Sequence, residues 1–370
     1  MIGRITVIAA AGLVVLVLLV FSVRLFAADI LSRGSTLYAR ETAVDLFPGS
    51  VSYILSLVDL RRQNDLDIRR QLRMATQADP VDARLFIELG LECERAGDYD
   101  SALRYLLESS RLSQEFLPRW TLANYYFRRN DLTQFRFWMH SALEVGAPNL
   151  TAAFRLLWNS GLTTAEISTV IPHTRDAVVG WLRWCVDQGR LDAAREAAAE
   201  SLRQWPGESA GVLIRYCALL ARGSASARAQ AADLWNALVA RGLLHQRPVY
   251  PAGAPTVEDP DFSTGPGDLA FGWHMIPVEG VVSDHYGRGI HFRLDGNEPE
   301  KCDLLTQLLS LRPGSKNVLR CRYDSTGLLP GSGLYWHIED PDAHTALEET
   351  PIFLNDQQKE VTAPFTVPPG

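Results

Sequence analysis

Residues of matching size recur at a fixed distance in the first half of this chain, and that regularity restricts what it can fold into. A shift of 34 residues lays Leu55, Ser56, Leu57, Leu72 and Ala75 over Leu89, Gly90, Leu91, Leu106 and Ser109. The register is imperfect, since Ser52 and Asp59 fall over Phe86 and Cys93. A repeat of this length is one supersecondary unit that cannot hide its apolar side alone. Copies must stack to close a continuous core.

Each unit reads as a pair of helices. The first carries a Leu-small pair, and the second carries a small residue where the two must touch. Unit one runs over about 48–81 and closes at Pro80, which stops its second helix. Unit two, about 82–115, is the better match, with Phe86, Leu89, Gly90, Cys93, Gly97, Tyr99, Ala102, Leu106 and Ser109. Gly97-Asp98 supplies its turn. Unit three, about 116–148, follows at a spacing of 33 with Leu122, Ala123, Tyr126, Asn130, Leu132 and Ala142. Its Phe135 stands where a small residue is expected, which predicts a locally opened or rotated pair.

Residues 150–172 are looser, with a capping box at Thr163-Thr-Ala-Glu166. The spacing returns over 175–206 (Trp181, Leu182, Cys185, Gly189, Leu191, Ala194, Ala198, Ser201, Pro206), and a last pair over about 208–222 and 225–241 ends at Gly242. Any helical bundle also repeats apolar residues every three or four positions. The small residues at fixed offsets and the terminal prolines favour a stacked array. On these residues, the stretch 48–241 resembles tetratricopeptide repeats. The resemblance implies an α-solenoid that binds protein partners rather than transforming them.

The N-terminus adds a second constraint. Ile5–Val23 holds nineteen residues without a charge, between Arg4 and Arg24. At about 1.5 Å per residue this spans roughly 28 Å, close to a hydrocarbon core of about 30 Å. A cleaved signal peptide is the rival reading. Its apolar core is shorter and ends in an A-x-A-like site, whereas Phe26-Ala27-Ala28 places a bulky ring where a small residue is wanted. An uncleaved anchor is the expectation. Arg24 offsets Arg4, so the charge bias sets orientation only weakly. The simplest arrangement is a single pass of the cytoplasmic membrane with the remaining chain on the periplasmic or extracytoplasmic side.

Composition changes after residue 244. Residues 245–268 hold five prolines and three glycines with no periodic apolar pattern, the mark of a linker or of an extended strap on a surface. Beyond it the period drops to two. Ile290, Phe292 and Leu294 alternate with His291 and Arg293; Leu319, Cys321 and Tyr323 with Arg320 and Arg322; Leu334, Trp336 and Ile338 with Tyr335, His337 and Glu339. Arg312-Pro-Gly-Ser315 fits a turn before the second of these strands. One-sided strands at this spacing argue for a β-sandwich.

The order Phe271-Gly-Trp273, Leu311-x-Pro-Gly and Gly333-Leu-Tyr-Trp336-x-Ile resembles the jelly rolls of carbohydrate-binding modules with a galactose-binding-like fold. That resemblance implies a glycan ligand. Phe365-Thr-Val-Pro-Pro is the candidate closing strand; either the sandwich ends short or the native chain continues past Gly370. The expected organisation is therefore multidomain α + β. It comprises an anchor (1–28), a juxtamembrane bridge (29–47), a TPR-like α-solenoid (48–244), a Pro/Gly-rich linker (245–267) and an antiparallel β-sandwich (268–370).

A formal net charge of −7 and the lack of a Lys/Arg cluster argue against general nucleic-acid binding. The five cysteines show no zinc-ligand spacing. Cys93, Cys185 and Cys217 read as inward apolar fillers, while Cys302 and Cys321 are left as free thiols or a pair. No nucleophile elbow, phosphate loop, HExxH or Walker pattern is present, and Gly287-Arg-Gly289 reads as a strand turn. His274, His285, His291 and His337 match no ligand set. Glu339, Asp340 and Asp342 read as a solvated Asp-Pro turn before a calcium site. No metal and no cofactor are expected.

Two surfaces stand out. If the three β-strands are neighbours, His291, Arg293, Arg320, Arg322, Tyr335 and His337 share one face. Guanidinium forks and aromatic rings there would suit a polysaccharide. A solvated face is the plain alternative. Tyr125, Phe127, Arg128, Arg129, Phe137 and Trp138 make unit three unusually aromatic, a mixture found at interface hot spots and also in buried packing between units. By resemblance, the expectation is a non-enzymatic, membrane-anchored scaffold of the bacterial envelope with a protein partner, assisting exopolysaccharide assembly or export through glycan binding. The alternatives are a purely structural assembly factor and an anchored glycan-processing enzyme.

Overall fold

A computed structural model of the chain describes residues 2–249, 257–328, 333–353 and 359–369, with side chains from Ala11 onward. The chain forms two compact units, Met1–Gly180 and Trp181–Gly370.

The first unit opens with α1 (Ile2–Ser32), a 31-residue helix about 46 Å long at about 1.5 Å per residue. The large apolar side chains from Leu13 to Val23 are 51% to 63% exposed, so no protein covers them. Among the described residues this is the one helix long and apolar enough to cross a membrane. Its last turns are different. Ala28 is fully buried, and α1 packs on α2 (Leu37–Leu46) and α3 (Val51–Gln63). Ser56 Oγ donates to the Ser32 carbonyl (2.5 Å), and Arg40 Nε donates to that of Gly34 (2.8 Å). The juxtamembrane segment 29–47 is thus the end of α1, a short turn and a second helix.

Three hairpins follow: α3 with α4 (Arg69–Ala78), α5 (Ala83–Arg95) with α6 (Tyr99–Leu112), and α7 (Phe116–Arg128) with α8 (Leu132–Val145). Each helix packs on the next, and α5 also touches α7. Ile54, Leu72, Leu89, Leu106 and Leu122 are fully buried along this seam.

One turn recurs where the first helix of a hairpin ends. Asp65, Gly97 and Asn130 all take positive φ (54°, 80° and 57°). The next residue's N–H then reaches back to a carbonyl five positions earlier: Leu66 to Arg61, Asp98 to Cys93 and Asp131 to Tyr126. This is the Schellman closure, which satisfies carbonyls the helix end leaves open. Asp98 and Asp131 then cap the second helix through Ser101 N (3.2 Å) and Gln134 N (3.0 Å).

The turn also corrects the register of unit one. In unit two the chain passes from Gly97 directly to the cap Asp98. In unit one Leu66, Asp67 and Ile68 intervene between Asp65 and α4. Helix α4, at ten residues, is also four shorter than α6, so the first helices correspond at 32 (Asp65 to Gly97) while the ends of the second helices, Ala78 and Leu112, lie 34 apart. Leu57 (3% exposed) therefore matches Leu89, and the counterpart of Gly90 is the buried Val58, not Ser56. Gly90 is where backbone meets side chain, because a Cβ there would lie 2.7 Å from Leu106 Cδ2 and 3.2 Å from the Ala102 carbonyl. Phe135 occupies the position of Ala102 and is nevertheless fully buried, its ring 5.4 Å from that of Phe127, and α7 and α8 still pack as a hairpin.

Two short helices, α9 (Thr151–Trp158) and α10 (Thr164–Val170), precede α11 (Arg175–Asp187). The capping box forms as the spacing predicts, with Thr163 Oγ1 accepting from Glu166 N and Glu166 accepting from Thr163 N. Glu166 also pairs with Arg136 of α8, and the His140 ring nitrogen lies 3.0 Å from the Val170 carbonyl.

In the second unit α12 (Leu191–Gln204), α13 (Pro206–Ala221) and α14 (Ala225–Ala240) continue the helical pattern. Gly189 (φ 66°) repeats the turn, with Arg190 N donating to the Cys185 carbonyl at 2.8 Å. Pro206 closes one element and opens the next, since it takes the first position of α13, where its missing N–H costs nothing.

The proline-rich segment is pinned along its described parts. The Trp235 indole N–H donates to the Arg247 carbonyl (2.8 Å), and Val249 N to Asn236 Oδ1 (2.7 Å). Arg247 N donates to Glu258 Oε2 (3.0 Å), and the Glu258 carbonyl accepts from Gln307 Nε2 (2.9 Å). The Asp259 carboxylate collects the N–H groups of Ser263, Thr264 and Gly265, and its carbonyl accepts from Trp273 Nε1 (3.0 Å). The rings of Trp235 and Phe271 meet at 5.4 Å, those of Phe262 and Trp273 at 5.2 Å, and those of Trp273 and Trp336 at 5.6 Å. Over its described residues, 245–249 and 257–268, the segment lies as a strap, while residues 250–256 lie outside the described residues.

The strands are β1 (His274–Met275), β2 (Val281–His285), β3 (Ile290–Leu294), β4 (Leu305–Thr306), β5 (Lys316–Tyr323), β6 (His337–Asp340), β7 (Thr345–Glu349) and β8 (Lys359–Thr366). All pairings are antiparallel: β1 with β4, β2 with β3, β5 with β8, and β6 with β7. Inward and outward residues alternate along β3 and β5 as the sequence predicts. The closing strand near Phe365 is β8, matched to β5 from Lys316↔Thr366 to Tyr323↔Lys359. The ladders stay two-stranded among the described residues and do not join into the two sheets of a sandwich. Residues 329–332, just before the third strand motif, lie outside the described residues.

Candidate interaction surfaces

The six aromatic and basic residues of unit three separate into two groups. Tyr125 is 4% exposed, and its hydroxyl donates to the Tyr99 carbonyl (3.1 Å); burial raises its pKa above the usual phenol value. Arg128 forms a two-pronged pair with Glu94 (2.8 and 2.6 Å), and Arg129 lies over the Tyr99 ring at 3.9 Å. Phe127 packs on Phe135. These four residues join unit three to unit two or fill its own hairpin, which is the packing alternative. Phe137 is 61% exposed and meets the half-buried Trp138 edge-on at 5.2 Å. Phe137 is the one ring of the six left mostly exposed, while Trp138 behind it also packs against the helical core.

The six β-region candidates are not placed on one sheet. His291 and Arg293 lie on β3, Arg320 and Arg322 on β5, His337 on β6 with Tyr335 just before it, and these strands belong to three separate ladders. The neighbour condition fails because each strand takes a different partner. Its neighbours also bring carboxylates. Arg322 Nε lies 3.4 Å from Glu360, its register partner on β8. His337 stands between Glu349 (2.9 Å) and Glu339 (3.4 Å). His291 lies opposite Asp284, its ring 6.4 Å from Tyr286, while Arg293 lies opposite Val282 and Arg320 opposite Thr362. An open cleft of about 3320 Å³ in this region is nonetheless lined by His291, Arg293, Arg322, Tyr335 and His337, with Arg320 outside it.

Other candidates take structural roles. Asp342 pairs with Arg228 of α14, and Asp340 Oδ1 accepts from Asp342 N (2.9 Å), so the acidic run makes a turn that docks on a helix. The His285 ring nitrogen lies 2.6 Å from the Phe262 carbonyl, beside the strap. Gly287 (φ 65°) turns β2 into β3, and Arg312–Ser315 closes with Ser315 N on the Arg312 carbonyl (3.0 Å). Cys302 is exposed, Cys321 is half-buried, and both are free thiols. Burial pushes the thiols of Cys185 and Cys217 up to about 12, as befits inert filler.

One cluster was not foreseen from sequence. The Arg24 guanidinium donates to the Leu46 carbonyl at the end of α2 (3.1 Å) and lies 5.8 Å from the Phe47 ring, which in turn meets Phe21 edge-on at 5.4 Å. Its only sequence trace is an arginine closing an apolar run and a Phe-Pro-Gly turn twenty-odd residues later.

No family model and no curated protein matches this chain. Thirty-one chains of solved structures do. One comes from a structure titled "Functional Characterization of Pseudomonas Aeruginosa pilF". It shares 16% identity, covering 50% of this chain and 94% of that one, at a TM-score of 0.31. Superposition that loose carries no argument about fold or function, and the helical stack rests on the recurring turn and the contacts described above.

Proposed function

We propose that the chain is a non-enzymatic, membrane-anchored scaffold of the bacterial cell envelope, with α1 retained in the cytoplasmic membrane and the folded units on its extracytoplasmic side. The observation that carries this reading is the packing of the end of α1. Ala28 is fully buried and the Ser32 carbonyl is held by Ser56. Cleavage after Ala28 would strip that buried residue from the helical packing while leaving Ser32 in place, and Phe26–Ala28 lies within a continuous helix rather than an extended substrate. The stacked hairpins then hold a protein partner against Phe137 and Trp138.

Two measurements test the proposal. The intact mass of the membrane-bound protein is expected to include α1; a mature chain beginning near Asp29 removes the anchor. A photocrosslinking aromatic residue at position 137 is expected to give a discrete adduct in cells of the native host, with none from the buried position 135. Absence of an adduct at 137 removes that face as the docking surface.

A second reading, glycan binding in aid of exopolysaccharide assembly or export, draws support from five of the six β-region candidates bordering one broad open cleft, although they share no sheet. The glutamates beside Arg322 and His337 make a neutral glycan a better fit than an acidic one. Retention of the full chain on a polysaccharide column tests it. No retention of the wild type ends the glycan reading in favour of a purely structural role, and unchanged retention in the Arg320→Ala, Arg322→Ala variant clears those two residues. Hydrolysis of envelope glycans by the pure protein would instead establish a glycan-processing enzyme.

A further inference from the structure

The geometry points to a second membrane contact: the turn between α2 and α3, Phe47-Pro48-Gly49, sits in the headgroup layer and fixes the first hairpin against the bilayer. This inference rests on the reading of α1 as a membrane helix and specifies what lies beside it.

The argument is one of height along α1. The chain leaves α1 after Ser32, turns at Gly34, and α2 runs back alongside α1. Ten residues of helix at about 1.5 Å each retrace roughly 15 Å, which is about the distance from Ser32 back to Phe21. The observed contacts agree. Leu46 lies level with Arg24, and the Phe47 ring touches that of Phe21. Phe21 belongs to the uncovered apolar run, being itself 53% exposed. If that run occupies the hydrocarbon core, Arg24 marks its edge and Phe47 lies at the boundary.

The chemistry of the cluster suits that depth. Aromatic side chains favour the interface between hydrocarbon and headgroups. Arg24 keeps its charge near the phosphates while its guanidinium satisfies the open carbonyl at the end of α2, a cation placed where the helix dipole is negative. Pro48 has no backbone N–H to satisfy, and both Pro48 and Gly49 are exposed. Asp45, two residues before the ring and so about 3 Å farther back along α2, is exposed. A lipid surface accounts for a half-buried phenylalanine that closes a helix beside an exposed apolar run.

Single cysteines carrying an environment-sensitive fluorophore test the inference in the full chain, reconstituted in vesicles of phosphatidylethanolamine and phosphatidylglycerol. The exposed Cys302 and the half-buried Cys321 are first replaced by serine. Gly49→Cys and Gly12→Cys suit the purpose because a Cβ at either position meets nothing within 4 Å, and Val81→Cys, at a 73% exposed position beyond α4, serves as the aqueous control. The expected result is strong quenching of the label at 12 by spin labels on the acyl chains. The label at 49 should be quenched by spin labels near the headgroups and should lose most of the iodide quenching seen at 81. Iodide quenching at 49 equal to that at 81, with 12 still shielded, overturns the seated turn and leaves the anchor standing. Iodide access at 12 overturns both.

Discussion

Gly90 offers a sharp test of whether the stack is held by close backbone approach. Replacing it with alanine adds one methyl group whose nearest neighbour, Leu106 Cδ2, lies 2.7 Å away and belongs to a fully buried side chain. Helix propensity favours alanine by about 1 kcal/mol, whereas overpacking a filled core costs about 1–3 kcal/mol. The net expectation for Gly90→Ala is a loss of between zero and about 2 kcal/mol. Leu106→Ala alone should cost about 2–5 kcal/mol through its cavity. In the double variant the clash disappears and the new methyl group fills part of the space. The pair should therefore be about 1–3 kcal/mol more stable than the sum of the single changes. Urea unfolding of the full chain in detergent, followed by far-UV circular dichroism, measures all three, and hydrogen exchange in residues 83–112 localises the effect. Gly211→Ala, at an exposed helical position with nothing within 4 Å of the new Cβ, is the reference and should gain up to about 1 kcal/mol. Additivity within about 0.5 kcal/mol would refute the close approach at Gly90.

Further tests follow from the turns, the strap and the thiols. Gly97→Ala forces an L side chain to φ 80° and should cost about 1–2 kcal/mol in the same unfolding assay, although no atom opposes its Cβ. Trp235→Phe keeps most of the ring but removes the indole donor to Arg247; a loss of about 1 kcal/mol is expected, with faster exchange of the Val249 amide. Burial pushes the Asp259 carboxyl up, but the hydrogen bonds from Ser263, Thr264 and Gly265 outweigh it and hold it below the usual carboxylate range. Its contribution is therefore complete above the unfolded value and is lost as pH falls through the lower folded value; Asp259→Asn should flatten the acid limb of stability followed by tryptophan fluorescence. Glu258 is raised by burial, so its effect has the opposite sign, stability falling as pH rises through the carboxylate range, and Glu258→Gln should remove that fall. Native maleimide labelling should modify Cys302 rapidly and leave Cys93, Cys185 and Cys217 unmodified until the chain unfolds.

The helical half was legible because its signals are local. The capping box at Thr163, the turn at Gly97-Asp98 and the inward Ala102, Leu106 and Ser109 each depend on residues within one or two turns of helix. The register of unit one is not legible because periodicity cannot see that its turn is two residues longer and its second helix four residues shorter than in unit two; the Leu-Ser-Leu match at 34 is coincidence in the first helix, whereas Leu72 and Leu106 correspond in the second. The partner face was half legible. Tyr125 and Arg128 look like an interface in sequence, but their partners, the Tyr99 carbonyl and Glu94, lie one repeat away, and composition carries no record of that pairing. In the β region each strand's own alternation was readable, whereas which strand lies beside which was not. The grouping of Arg293, Arg320 and His337 on one face failed for that reason.

The strap has a practical consequence. Composition marks 245–268 as a joint where the chain could be cut, yet Trp235 of α14 is 1% exposed and gives its indole proton to Arg247 beyond that point. A fragment ending at residue 244 would leave this ring wet and its N–H without the Arg247 acceptor, beside Leu238, which is fully shielded in the intact chain. The described parts of the proline-rich stretch behave as a seam: Arg247 and Val249 are held by α14, Glu258 by Arg247 and Gln307, and neither side is a finished piece without the other.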